Sequence, residues 1–194
     1  MKKVLVFATH NKNKANEIQQ LLGEAYEIRT LTDIGCYDEI EETGLTLAEN
    51  ATIKSNFVFN KYGLSCFADD TGLEVSALHG APGVFSARYA GLQKSDNDNL
   101  NLLLKNLEGN SNREARFKTI ISCFLDGKET FFEGILEGQI VSEKVGENGF
   151  GYDPIFKPNN YNITLAQMTI DEKNKISHRA KATLKFIEFL KQIA

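Results

Sequence analysis

Several separate segments of this chain carry residue types that can do chemistry. The first is Thr9-His10-Asn11-Lys12-Asn13-Lys14, lying between an apolar run and an amphipathic stretch. A strand-to-helix junction presents free backbone N–H groups and the positive end of a helix dipole, which suits an anion. Lys12 and Lys14 add charge, and Thr9 and Asn11 can bind a ligand or cap the helix. An Asn N-cap followed by solvated lysines fits the same residues equally well. No phosphate loop of the GxxxxGK(S/T) type occurs. The second segment is Asp69-Asp70-Thr71-Gly72, expected at the carboxyl end of a short strand, where α/β sheets gather ligands. Two neighbouring carboxylates suit Mg²⁺, which takes one or two of them alongside water and substrate phosphates. The bland alternative is a turn former and a helix cap.

Three further segments add to these. Asp38-Glu39-Ile40-Glu41-Glu42 reads as a solvated acidic loop, one member of which can reach a metal. Gly146–Phe156 sets three glycines beside Phe150 and Tyr152 and closes on Asp153-Pro154. Glycines let a backbone approach a flat ligand, an aromatic ring can stack on a base, and Asp153 can accept from a base edge. Packing of Phe150 and Tyr152 into the core explains the spacing as well. The last cluster is Lys173, Lys175, His178, Arg179, Lys181 and Lys185, with Ser177 as a possible N-cap. Such cations suit polyphosphate or a base carbonyl, although Lys181 and Lys185 fit a solvated helix face. Together the segments suggest a nucleoside triphosphate site.

The elements that must position these residues follow from periodicity. Lys3–Ala8 reads as a buried strand. A helix is expected over Lys12–Leu22 with Ala15, Ile18 and Leu22 on one stripe and Gly23 as its stop, then a strand over Glu27–Leu31. Thr46 and Glu49 form a capping box that opens a helix reaching Tyr62, closed by Gly63. A short strand over Ser65–Ala68 ends at the paired aspartates. Leu100, Leu103, Leu104 and Leu107 predict a helix over Asn99–Leu107 that stops at Gly109. Asp126-Gly127 predicts a hairpin between long strands, with Ala115, Phe117, Thr119, Ile121, Cys123 and Leu125 on one face. A C-terminal helix carries Leu184, Ile187 and Leu190 as its apolar stripe. This order predicts an α/β fold with a mixed central sheet flanked by helices.

Composition narrows the class. The 194 residues are 42% hydrophobic and 25% charged, which fits one globular domain spanning 1–194. No apolar run approaches the roughly 20 residues of a membrane span, and the N-terminus lacks a signal-peptide pattern. Lysine and arginine total 22 against 26 acidic residues, a net charge of −4, so attraction to nucleic acid is not expected. Cys36, Cys66 and Cys123 are odd in number and show no CxxC spacing, which argues against a disulfide framework and for the cytoplasm.

Six motifs, in order and over essentially the whole length, resemble the inosine triphosphate pyrophosphatase family. Thr9–Lys14 resembles its T-G-N-x-x-K segment, Glu41-Glu42-Thr43-Gly44 its E-E-T-G, and Asp69-Asp70-Thr71-Gly72 its D-D-S/T-G. Gly80-Ala81-Pro82-Gly83 with Ser86-Ala87-Arg88-Tyr89 is similar to G-A-P-G and S-A-R-Y. Gly149–Pro154 is similar to G-F-G-Y-D-P, and Ser177-His178-Arg179 to the closing S-H-R. The resemblance implies two lobes with a substrate cleft between them, a homodimer, and Mg²⁺ dependence. It implies hydrolysis of non-standard purine nucleoside triphosphates (ITP, dITP, XTP) to the monophosphate and pyrophosphate, cleansing the nucleotide pool. Residue by residue, it implies phosphate binding by Thr9, His10, Asn11, Lys12, Asn13 and Lys14, and metal binding by Glu42 and Asp70. Asp70 is also the implied catalytic carboxylate. Thr71 is implied to contact substrate, while Phe150, Gly151, Tyr152, Asp153, Lys173, His178 and Arg179 frame the purine. His10 stands where the family usually has glycine, with backbone strain expected if the position requires positive φ. Two other classes fit fewer of these residues. A Maf-like pyrophosphatase lacks the S-H-R and G-F-G-Y-D-P motifs, and a nucleotide-sensing or RNA-binding module has no use for paired carboxylates.

Overall fold

The apolar run at the N-terminus forms β1 (Lys3–Phe7), which feeds α1 (Lys12–Leu22) and β2 (Tyr26–Thr30). The computed structural model describes residues 3–22 and 26–192; the stop expected at Gly23 lies outside the described residues. There follow α2 (Leu47–Tyr62), β3 (Cys66–Val75), β4 (Pro82–Gly83), α3 (Asp96–Asn106), β5 (Glu114–Leu125) and β6 (Lys128–Ile140). The chain ends with β7 (Phe156–Pro158), α4 (Ile170–Ile176) and α5 (His178–Gln192). Strand order is β2-β1-β3-β5-β6-β7, with β4 pairing on β3. β1 runs parallel to both β2 and β3, whereas β4 and β7 pair antiparallel. The mixed α/β sheet expected from the element order is therefore the one observed.

The chain resolves into two compact units. The first comprises Met1–Asp70, Thr119–Gly134 and Arg179–Ala194, the second Thr71–Lys118 and Ile135–His178. The first has its core around Phe7, Phe67 and Phe186, with Phe7 stacked on Phe67 at 4.5 Å. The second is built on Leu73, Leu103, Phe117, Ile140 and Phe156, with Phe117 against Phe156 at 4.7 Å.

Local signals hold well where one segment decides its own geometry. Thr46 and Glu49 form the expected capping box, and Gly63 closes α2 at φ 63°. Asp126 and Gly127 both take positive φ (50° and 76°), as a tight hairpin turn requires. Longer-range packing overrides other expectations. The strand expected over Ser65–Ala68 runs on to Val75, so Asp69 and Asp70 lie inside β3 and not at its end. Both aspartates are buried there, where ion pairs compensate their poor strand propensity. The single-face alternation on β5 holds at Ala115 and Phe117, but both faces are buried from Thr119 to Cys123. On α5 the stripe is Ala182, Phe186 and Leu190, while Leu184 is 50% exposed. Spacing of four residues around a central phenylalanine fills this core. Ser177 is the C-cap of α4, a short helix with its own Thr169–Glu172 capping box that the periodicity did not reveal.

Candidate active site

In the first unit, Asn11 Oδ1 accepts from the backbone N–H of Asn13 (3.0 Å) and Lys14 (3.2 Å), so Asn11 caps α1. Thr9 Oγ1 accepts from Asn11 N at 3.0 Å and shapes the turn before it. His10 Nε2 lies 3.1 Å from the carbonyl of Asp38 and Nδ1 lies 3.4 Å from Thr32 Oγ1. Its backbone is not in the left-handed region, so the expected strain is absent. The side chains of Lys12 and Asn13 are exposed, whereas Lys14 turns inward.

Lys14 Nζ donates to Asp69 Oδ1 at 2.9 Å. The other oxygen of Asp69 accepts from Arg179 Nε at 3.1 Å, and Arg179 also pairs with Glu17 at 2.5 Å. Burial would push Asp69 up, but Lys14, Arg179 and Lys54 together outweigh it and hold this carboxyl well below the usual range. Asp70 sits in the opposite balance. Burial raises its pKa, Glu42 and Asp69 add repulsion, and the pull of Lys54 and Lys14 does not cancel them. Lys54 Nζ lies 2.6 Å from Glu42 Oε1 and 3.5 Å from Asp70 Oδ1. Desolvation lowers Lys54, yet Asp70, Glu42 and Asp69 outweigh it and keep it protonated. Two adjacent carboxylates thus occupy different electrostatic states, the arrangement that separates a charge anchor from a reactive group.

In the second unit, the Gly149–Asp153 loop is folded around one carboxylate. Asp153 Oδ2 accepts from Phe150 N at 3.0 Å and from Lys173 Nζ at 2.8 Å. Gly149 has φ 79°, and a Cβ there would collide with the same oxygen; only glycine fits. Lys173 Nζ also stands 4.7 Å from the centre of the Phe150 ring. Gly151 N donates to Asp96 at 2.8 Å, and the Tyr152 hydroxyl donates to Ser86 O at 2.9 Å from a buried position. His178 stacks on Phe117 with centres 4.6 Å apart.

A model of the Ham1 family matches residues 5–189. The chain belongs to that family. The motif resemblance is thereby borne out. Curated relatives named dITP/XTP pyrophosphatase include one from Flavobacterium psychrophilum, 54% identical over 187 residues covering 96% of this chain and 98% of that protein. Another, from Thermoanaerobacter pseudethanolicus, is 47% identical and covers 96% of both chains. The Ham1 protein of Staphylococcus aureus has a solved structure that superimposes with a TM-score of 0.91 at 39% identity, covering 99% of this chain and all of that one.

In this Ham1-family chain the predicted residues separate cleanly. Thr9–Lys14, Glu42, Asp70 and Arg179 fall in the first unit, and Thr71, Phe150–Asp153, Lys173 and His178 in the second. The outlier is Arg179, grouped with the purine frame by the resemblance but engaged here by Asp69 and Glu17. Asp153, expected to read a base edge, spends one oxygen on Phe150 N and Lys173. Sequence reasoning missed Lys54, Asn50 and Glu17. Lys54 and Asn50 stand four residues apart on α2, a helical spacing that points both toward Asp70; that spacing was the available signal. A divalent ion fits this set. The Lys54 ammonium already bridges Glu42 and Asp70, so the pair is built around positive charge. Among the described residues no group of three His, Cys, Asp or Glu forms a closed metal cage. Mg²⁺ needs none when substrate phosphates and water complete its shell.

Proposed function

We propose that this chain hydrolyses dITP, XTP and ITP to the nucleoside monophosphate and pyrophosphate. End-to-end identity of 54% with a relative of that name carries the reading. The buried charges of the first unit support a division of labour. Lys14 and the α1 N-terminus take the polyphosphate, held in place by Asp69, which Arg179 in turn secures. Glu42 and Asp70 would hold Mg²⁺, which supplies charge neutralisation on the leaving pyrophosphate. Asp70, with its raised pKa, accepts a hydrogen bond from the attacking water and orients it. Lys54 keeps Glu42 and Asp70 from repelling one another.

Phe150 offers its ring to the purine, and Lys173 and His178 stand as candidate donors for the 6-oxo group that adenine lacks. A buried donor left unmatched by the 6-amino group of ATP discriminates strongly, and GTP, which keeps the 6-oxo group, is rejected by crowding of its 2-amino group at the loop around Phe150. Residues 1–194 act as one pyrophosphatase domain in this reading, assembled as a homodimer in the cytoplasm. Three free buried thiols accord with a reducing compartment. No described helix is long and apolar enough to cross a membrane.

The test is pyrophosphate release by the purified protein with Mg²⁺ across ITP, dITP, XTP, GTP and ATP. Release from the first three that exceeds the last two by about two powers of ten, roughly 2.7 kcal/mol, is expected. Equal rates on all five, or none, overturns the assignment.

A further inference from the structure

Asn50 is fully buried on α2, one turn before Lys54, and every polar atom of its side chain is used. Its Oδ1 accepts from the backbone N–H of Gly44 at 2.8 Å. Its Nδ2 donates to Asp70 Oδ2 at 3.2 Å. The carboxamide therefore spans from the segment carrying Glu42 to the carboxylate of Asp70. Gly44 makes that bridge possible in a second way, because a Cβ at this position would lie 2.7 Å from Asn50 Oδ1 and 2.9 Å from Asn50 N. The same Cβ would lie 2.7 Å from Glu49 Cβ, so the glycine is required by the close approach of the first turn of α2, the Asn50 amide included, and not by an unusual φ.

We infer that Asn50 is a positioning residue that sets the orientation of the Asp70 carboxylate, with Gly44 as its seat. A carboxylate can rotate about its terminal bond, since such torsions are broad. Asn50 holds one oxygen by a donated hydrogen bond, which fixes the plane and leaves the other oxygen toward Lys54. An amide is suited to this task where a hydroxyl or an acid is not. It donates on one side and accepts on the other without carrying charge, and so adds no repulsion to Glu42, Asp69 and Asp70. A bound carboxylate misoriented by a fraction of an ångström loses near-attack geometry. The inference rests on the proposed pyrophosphatase reading and deepens it by naming what aims its reactive group.

The experiment compares Asn50→Asp, Asn50→Ala and Gly44→Ala in ITP hydrolysis with Mg²⁺. Asn50→Asp has the same shape and still accepts from Gly44 N–H, but it replaces the donor to Asp70 with a repelling carboxylate oxygen. All three single variants are expected to lose kcat by about 10²-fold while KM stays within about threefold. Thermal melting of each variant checks folding, and Asn50→Asp keeps the test open should Asn50→Ala unfold. Folded variants that retain kcat within about threefold overturn the role of Asn50 alone. A folded wild-type protein that releases no pyrophosphate overturns the pyrophosphatase reading, and the kinetic role of Asn50 with it.

Discussion

The two units reach precision by different physical means. In the first, charge holds charge: Lys14 and Arg179 flank Asp69, Glu17 pairs with Arg179, and Lys54 and Asn50 face Glu42 and Asp70. In the second, backbone shape dominates. Glycines at positive φ let the loop close over Asp153, which forms a buried ion pair with Lys173. A charge network tolerates loss of one member poorly, because the partners left behind are buried and uncompensated. A shaped loop loses binding before it loses stability. The first unit is therefore the place to look for failures of turnover and folding, and the second for failures of selectivity.

The most severe test of this contrast is Asp70→Asn. Turnover should fall by about 10³-fold while ITP still binds, as measured by pyrophosphate release and calorimetric titration. A folded variant with near-normal turnover breaks the assignment. Arg179→Met should be next, destabilising the protein by about 3–5 kcal/mol in denaturant unfolding because Asp69 and Glu17 lose a shared buried partner. A smaller loss than that of Lys173→Met would invert the comparison. Lys173→Met itself should act on selectivity, raising KM for ITP about 10–100-fold and narrowing its margin over ATP at little cost in kcat. Gly149→Ala should raise the same KM about tenfold, since the new methyl overlaps the Asp153 carboxylate.

The smallest effect concerns pH and has two signs. Asp70 is raised above its unfolded value near 3.9, so burying it charged costs stability at neutral pH, and that cost is relieved as pH falls through its folded value. Asp69 is depressed, so its contribution is complete above about pH 4 and is lost as pH falls further toward its folded value. Stability should thus rise slightly on acidification and then fall. Each tenfold difference in acidity between the folded and unfolded chains is worth about 1.4 kcal/mol. Asp70→Asn should abolish the rise and keep the fall; a monotonic wild-type profile would remove the opposed states of the two aspartates.

Much of this architecture is legible in short stretches of sequence. The α2 capping box, the Gly63 stop and the Asp126-Gly127 turn are decided within a few residues, so local rules suffice. Thr9–Lys14 lies at the junction of β1 and α1, as its residue types suggested. The expected strand end at Ala68 failed because ion pairs from α1, α2 and α5 hold two aspartates inside a strand. Residues at similar helical spacing look alike in sequence, and the neighbouring core selects Phe186, which leaves Leu184 exposed. The resemblance groups Arg179 with His178, yet the two residues fall in different units.

By itself the sequence determined the α/β class, the family and the chemical types available, because periodicity, capping and ordered motifs are properties of short segments. Only the tertiary structure decided which carboxylate is held ionised and which is raised, and that Asn50, Lys54 and Glu17 belong to the site. Those outcomes depend on burial and on partners as many as 162 positions apart, and electrostatic balance in a buried site is set by distance in space.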